Sequence, residues 1–240
     1  MEAKESKMDI EEYAGKHRHF WNSAQVPAEL KFILDNNSFK TLIDIGCGDG
    51  ALLHRLNSLG YLEKMDTWAV DSSESRLDSV KKIDNRIVTV QDDAQLLEKV
   101  PDSSFDLIVT TQVIEHVYSD EDMMRSIARI SRKGAIVYLD TVFKKPYGIY
   151  FYRNKYNQLV LDPTHEREYS SEAYLYNIIR KNGFSIIYSR KDQIGLSILN
   201  FFLRKLGIPS SIDSKALSLL TRIKVPIPGY FCWKILMVKH

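Results

Sequence analysis

Short apolar runs alternate with amphipathic stretches along most of the chain. Residues 41–46, 67–71, 86–91, 105–111, 135–141, 184–190 and 230–238 have the length and the β-branched or aromatic content of strands. Between them, apolar residues recur at helical spacing over residues 27–36, 51–59, 73–82, 120–131 and 171–181. The first of these helices has Pro27 at a first-turn position, and the last stops before Gly183. The early strands are continuous hydrophobic runs, as expected of a parallel sheet with helices on both faces. The pattern therefore predicts a doubly wound α/β domain, whose ligands sit beyond the carboxyl ends of the strands. A further apolar stretch, residues 194–206, ends in Arg204 and Lys205 and reads as a helical insertion before the last strand. It suits covering an acceptor pocket, dimerisation or resting on a bilayer.

Composition narrows the class. With 240 residues, 44% hydrophobic and 27% charged, the chain has material for one good-sized core, which excludes a disordered tract or a small disulfide scaffold. No Gly/Ser linker or repeat divides it, so a single domain is expected: residues 1–40 as a helical lid, 41–190 as the ligand-binding core, 191–228 as the insertion and 229–240 as the last strand. No window holds roughly 18 uninterrupted apolar residues, and residues 1–16 are charged where a signal peptide is apolar, so a cytoplasmic location is expected. Cys47 and Cys232 are read as reduced thiols.

Charge is unevenly divided. Residues 141–240 carry 16 Lys and Arg against 6 Asp and Glu, net +10, which leaves net −8 on residues 1–140. A basic second half favours an anionic acceptor or membrane surface, although the cations form no dense run and also serve solubility.

The sharpest local signal is Asp44-Ile45-Gly46-Cys47-Gly48-Asp49-Gly50, at the end of the first strand and the start of a helix. Alternate glycines allow a sharp turn and a close ligand approach. Asp71 closes the second strand 21 residues after Gly50, where a nucleotide's ribose needs an acceptor, and Asp92 and Asp93 close the third. Gly46-x-Gly48-x-x-Ala51 also satisfies a dinucleotide fingerprint, so an NAD-dependent dehydrogenase is the alternative. Against it, Asp44 and Asp49 place two anions where a pyrophosphate would approach, and the Tyr-x-x-x-Lys pair of some reductases occurs only as Tyr230 and Lys234, in the last strand.

These motifs, in this order over residues 41–190, resemble the class I S-adenosylmethionine-dependent methyltransferases. The resemblance implies a Rossmann-like, seven-stranded, mostly parallel sheet with an antiparallel final strand. It implies S-adenosyl-L-methionine as cofactor, contacted by Asp44, Gly46, Cys47, Gly48, Gly50, Asp71, Ser72, Asp93, Ala94, Thr111 and Gln112. Within that set the glycine loop would pass beneath the methionine and sulfonium, Asp71 would bind the ribose hydroxyls, and Asp93-Ala94 would meet the adenine. An acidic half also complements a cationic cofactor on electrostatic grounds alone.

Candidate chemistry lies after the fourth strand and between residues 140 and 171. Glu115 and His116 open a helix, where Glu115 also complements the dipole and His116 also suits packing beneath the cofactor. His165 stands in a polar Asp162-Pro163-Thr164-His165 stretch and reads as an exposed loop histidine, suited to act as a base or simply to face solvent. Relatives that methylate quinone-ring hydroxyls or RNA 3′ ends carry Glu-x-x-Glu-His with a later histidine, a divalent-metal arrangement. Here the first position is Gln112, and no metal is expected. The stretch Tyr13 to Trp21 suits a lid. Residues 146–156 hold five aromatics and two cations, a composition suited to core packing, a planar acceptor or a membrane interface.

The expected function is methyl transfer to an oxygen, less favourably a nitrogen, of a small or lipid-linked acceptor. A cofactor-binding pseudoenzyme acting through a partner is the non-enzymatic alternative. No dense basic stripe or RNA-binding signature points to nucleic acid.

Overall fold

The computed structural model describes residues 25–197 and 224–240. In chain order these form α1 (Ala28–Asn36), β1 (Thr41–Ile45), α2 (Ala51–Ser58), β2 (Asp66–Asp71), α3 (Glu74–Lys81), β3 (Val88–Gln91), β4 (Phe105–Thr111), α4 (Asp120–Ile130) and β5 (Ser131–Lys144). A two-stranded hairpin follows, β6 (Tyr152–Arg153) with β7 (Leu159–Val160), then α5 (Glu172–Lys181), β8 (Phe184–Ser197) and β9 (Lys224–Lys239). The described residues build a seven-stranded sheet in the order β3-β2-β1-β4-β5-β9-β8. Strands β1 to β5 pair in parallel, while β9 runs antiparallel to both β5 and β8.

Alternation along β1 explains the two-sided core. Ile43 and Ile45 face a cluster with Met123, Ile127, Leu175 and Ile179 of α4 and α5. Leu42 faces the opposite cluster with Leu30, Leu53, Leu56 and Val80 of α1, α2 and α3. Both faces of the sheet are thus sealed by helices, which is why the strands read as unbroken apolar runs. Helix starts follow local chemistry: the hydroxyls of Ser73 and Ser119 accept hydrogen bonds from the backbone N–H of Arg76 and Asp122.

The outer strands differ from their sequence pattern. Residues 194–197, read as the start of a helical insertion, extend β8 instead, with Gly195, Leu196 and Ser197 opposite Pro226, Val225 and Lys224 of β9. Residues 191–193 and 224–228, inside the expected insertion, are likewise strand. An apolar stretch can satisfy its backbone within a helix or across a ladder, and here β9 supplies the partner. The rest of that insertion and the aromatic stretch 13–21 lie outside the described residues.

Candidate active site at the carboxyl ends of the strands

The glycine loop leaves β1 against β2. Gly46 and Cys47 N–H donate to Val70 O at 2.7 and 3.0 Å, and the Gly50 N–H donates to Cys47 O at 3.0 Å. Two of the glycines are required by space as well as by their positive φ: a Cβ on Gly46 would come within 2.3 Å of Val113, and one on Gly50 within 2.6 Å of Ile83. Gly48 differs, because a Cβ there would meet nothing within 4 Å. Its surface is a cradle open to a ligand rather than a packing contact.

Asp71 ties the loop in place. Its two carboxylate oxygens accept from the backbone N–H of Gly48 at 2.9 Å and of Ser73 at 3.0 Å. Asp44, at the floor, is buried with Oδ1 lacking a partner. Burial, then the nearby Asp71 and Asp140 carboxylates, push its carboxyl up to about 8. Asp93 lies exposed after β3, its carboxylate held by Gln95, with Ala94 partly covered beside it. Ser72 is exposed, Thr111 is partly covered, and Cys47 is a buried thiol pushed upward chiefly by burial.

Gln112 takes a left-handed φ of 54° immediately after β4. Asp140 holds it there: Asp140 Oδ1 accepts from Gln112 N–H at 3.1 Å and from Gln112 Nε2 at 2.9 Å, while Oδ2 accepts from Tyr138 OH at 3.2 Å. The turn that follows delivers Glu115 and His116. Glu115 is fully buried; Oε2 accepts from Thr141 Oγ1 at 2.9 Å, Oε1 has no partner, and burial pushes the carboxyl up to about 7.

His165 is buried rather than exposed, correcting the reading of a solvent histidine in a polar loop. The loop is drawn inward because Glu166 and Arg167 N–H donate to Glu115 O at 2.9 and 3.3 Å, and Asn154 Nδ2 donates to His165 O at 3.2 Å. The two imidazoles meet edge to face with ring centroids 4.8 Å apart. One donor atom from each of Glu115, His116 and His165 lies within 4.8 Å of the others.

Each imidazole is oriented through Nδ1. Thr164 Oγ1 donates to Asp162 at 2.6 Å and so accepts from His116 Nδ1 at 3.0 Å, while Glu168 Oε1 accepts from His165 Nδ1 at 3.0 Å. Such bonding leaves Nε2 of each ring unprotonated when the ring is neutral. His116 is pushed down to about 4, first by burial and then by His165 beside it. Arg167 locks the turn from outside, donating through Nη1 to Ile114 O at 3.1 Å and Val117 O at 2.7 Å.

Thus Glu115, His116 and His165 come together, with the glycine loop adjoining through Val113, whereas Gln112 is turned to Asp140 and takes no part in the three-donor set. Asp140, Thr141, Asp162, Thr164, Arg167 and Glu168 were not singled out by the sequence pattern. The three-residue spacing of His165 and Glu168 was the available signal. Lys234, one half of the reductase-like pair, is committed to Glu29 and Asp192 at 3.1 and 2.8 Å.

The open cradle at Gly48, the orphaned Asp44 oxygen and the acids at the strand ends fit a cationic nucleoside better than a pyrophosphate. Sheet order, the antiparallel β9 and this loop define the architecture of S-adenosylmethionine-dependent methyltransferases. The sequence model of the methyltransferase domain family matches residues 16–189, and the chain belongs to that family. Among curated proteins it is similar to the ubiquinone biosynthesis O-methyltransferase of Pseudomonas paraeruginosa, 27% identical over 120 residues, covering 47% of this chain and 48% of the relative. The corresponding protein of Nitrosomonas europaea is 25% identical over 154 residues, covering 58% and 64%. The chain therefore spans from about half to just under two thirds of these relatives' lengths. In fold it is similar to a SAM-dependent methyltransferase of Methanosarcina mazei, with TM-score 0.62, 15% identity, and 90% and 99% of the two chains covered.

Proposed function

We propose that the chain transfers a methyl group to an oxygen of a small or lipid-linked acceptor, with Glu115, His116 and His165 receiving the acceptor hydroxyl. The observation that carries this reading is their convergence. With donor atoms no more than 4.8 Å apart, a single oxygen between them lies within about 2.8 Å (4.8/√3) of each, which is hydrogen-bond distance. S-adenosylmethionine, when bound, supplies the methyl group on a cationic sulfur. The chain's task is alignment of the acceptor and exclusion of water. Glu115, pushed up to about 7 by burial, is the group best matched to take the hydroxyl proton at neutral pH, and the His116 and His165 rings bound the acceptor's position on the other sides. The names of the curated relatives, O-methyltransferases, support oxygen over nitrogen.

A second reading is favoured by one observation, the unpartnered Glu115 Oε1 beside two imidazoles that each have an orienting partner on Nδ1. These three residues have the composition and the outer support to hold a divalent cation, which would act as a Lewis acid on the acceptor hydroxyl.

Incubation with S-adenosylmethionine and a panel of phenols, alcohols and amines, followed by mass spectrometry, tests both. A methyl ether and S-adenosylhomocysteine are expected, and loss of turnover with a chelator selects the cation. Methylation confined to amines defeats the oxygen assignment. Cofactor binding with no homocysteine product from any acceptor in a cell extract returns the protein to a non-enzymatic role.

A further inference from the structure

The segment joining β5 to the His165 loop turns Tyr147, Ile149, Phe151, Tyr152 and Tyr156 toward solvent, from 49% exposed at Tyr152 to 76% at Phe151. Large apolar side chains scattered singly over a surface are ordinary; five within ten residues are not. The cluster also has a firm base. The Tyr150 ring lies 4.9 Å from Phe151 and 5.7 Å from Tyr152, and it packs inward on Val142, Ile227 and Tyr230. Beneath it the backbones of Gly148 and Gly229 touch so closely that a Cβ on Gly229 would come within 2.5 Å of Gly148. The aromatic face is thus preformed by packing.

Its charge has one sign. Residues 144–160 include Lys144, Lys145, Arg153 and Lys155 and no Asp or Glu. Lys144 and Lys155 reach back to Glu168 and Glu166, at 3.5 and 3.0 Å, while Lys145 and Arg153 are exposed beside the aromatic residues.

We propose that this aromatic and basic face docks on the surface of an anionic phospholipid bilayer. Tyrosine rings suit the headgroup layer, Ile149 and Phe151 suit the acyl boundary, and the cations meet lipid phosphates. Charge complementarity selects this occupant. A second copy packed face to face would bring the exposed Lys145 and Arg153 against the same two cations, with no exposed acid from residues 144–160 to meet them. A single-stranded nucleic acid would use the rings and cations but gain little from Ile149, which has no ring to stack.

The face is joined to the candidate active site. Asn154 is buried; besides donating to His165 O, its Oδ1 accepts from Tyr156 and Gln158 N–H, each at 3.0 Å, and Tyr156 OH donates to Glu166 at 3.1 Å. Docking would therefore bring the loop bearing His165 to headgroup depth, where an amphiphilic acceptor presents its polar end. Only this last step rests on the proposed methyl transfer; docking itself is read without turnover.

Sedimentation of the full chain with phosphatidylcholine vesicles, with and without phosphatidylglycerol, tests the proposal. Binding to the anionic vesicles alone is expected, weakening with salt. The double variant Ile149→Ser, Phe151→Ser should bind at least about tenfold more weakly with an unchanged melting temperature, because both side chains are exposed. Lys145→Gln with Arg153→Gln should lose roughly fivefold per cation, and carries the test if the first variant misfolds. Failure to bind either vesicle, equal binding to both, or full binding by both variants overturns the proposal. So does an oligomer that dissociates in the Ser variant, or displacement from vesicles by a short oligonucleotide, each of which assigns the face to another partner.

Discussion

Three glycines a few residues apart do different work, and substitution separates them. Gly48→Val places a side chain in open space at φ 55°, so the fold should lose only about 1–2 kcal/mol while affinity for S-adenosylhomocysteine is lost. Gly46→Ala, forced against Val113, should cost more stability. Paired denaturant melts and calorimetric titrations read the two effects apart. Asp44 gives a pH signature: its folded-state pKa, about 8, lies above the ordinary 3.8, so the folded state holds the extra proton. The stability this contributes is complete below pH 3.8, falls as pH rises, and is gone above about 8. Asp44→Asn should remove that slope and unfold at higher urea than the native chain above about pH 8. In the second cluster, His165→Ala should spare cofactor affinity and lower turnover by roughly 10²–10⁴ fold. Glu168→Gln, whose carbonyl still accepts from His165 Nδ1, should fall less than Glu168→Ala. The glycine loop and Asp71 were legible in sequence because their chemistry is local to two strand ends. The burial of His165 was not, since Glu115 O and Asn154 that enclose it lie 50 residues upstream and 11 away.

Element by element, strands and helices whose pattern is enforced on both faces were readable. β4 occupies residues 105–111 as its apolar run predicts, and the serine caps of α3 and α4 mark their starts. The outer strands were not, because β5, β8 and β9 continue past their apolar cores only by pairing with one another, and a single segment does not disclose its partner. Trp233, near the middle of β9, joins these strands to α5. It is fully buried, its indole N–H donates to Ser189 Oγ at 2.8 Å, and Phe143 and Tyr176 lie 5.4 Å from it, ring to ring. Trp233→Ala should cost about 3–5 kcal/mol in guanidinium unfolding.

Across the whole molecule, protection follows the sheet. β1, β4 and β5 are hydrogen-bonded on both edges, whereas β6 and β7 make a ladder of two residues each. Hydrogen exchange read by mass spectrometry should find the central strands slowest and the hairpin among the fastest of the described elements. The position of β9 has a consequence for how the chain is made. Among the described strands it comes last in chain order, yet it fills the gap between β5 and β8. A nascent chain on the ribosome must therefore carry two open strand edges until residues 224–239 emerge, and products stalled before that point should be the ones that chaperones hold and proteases clear.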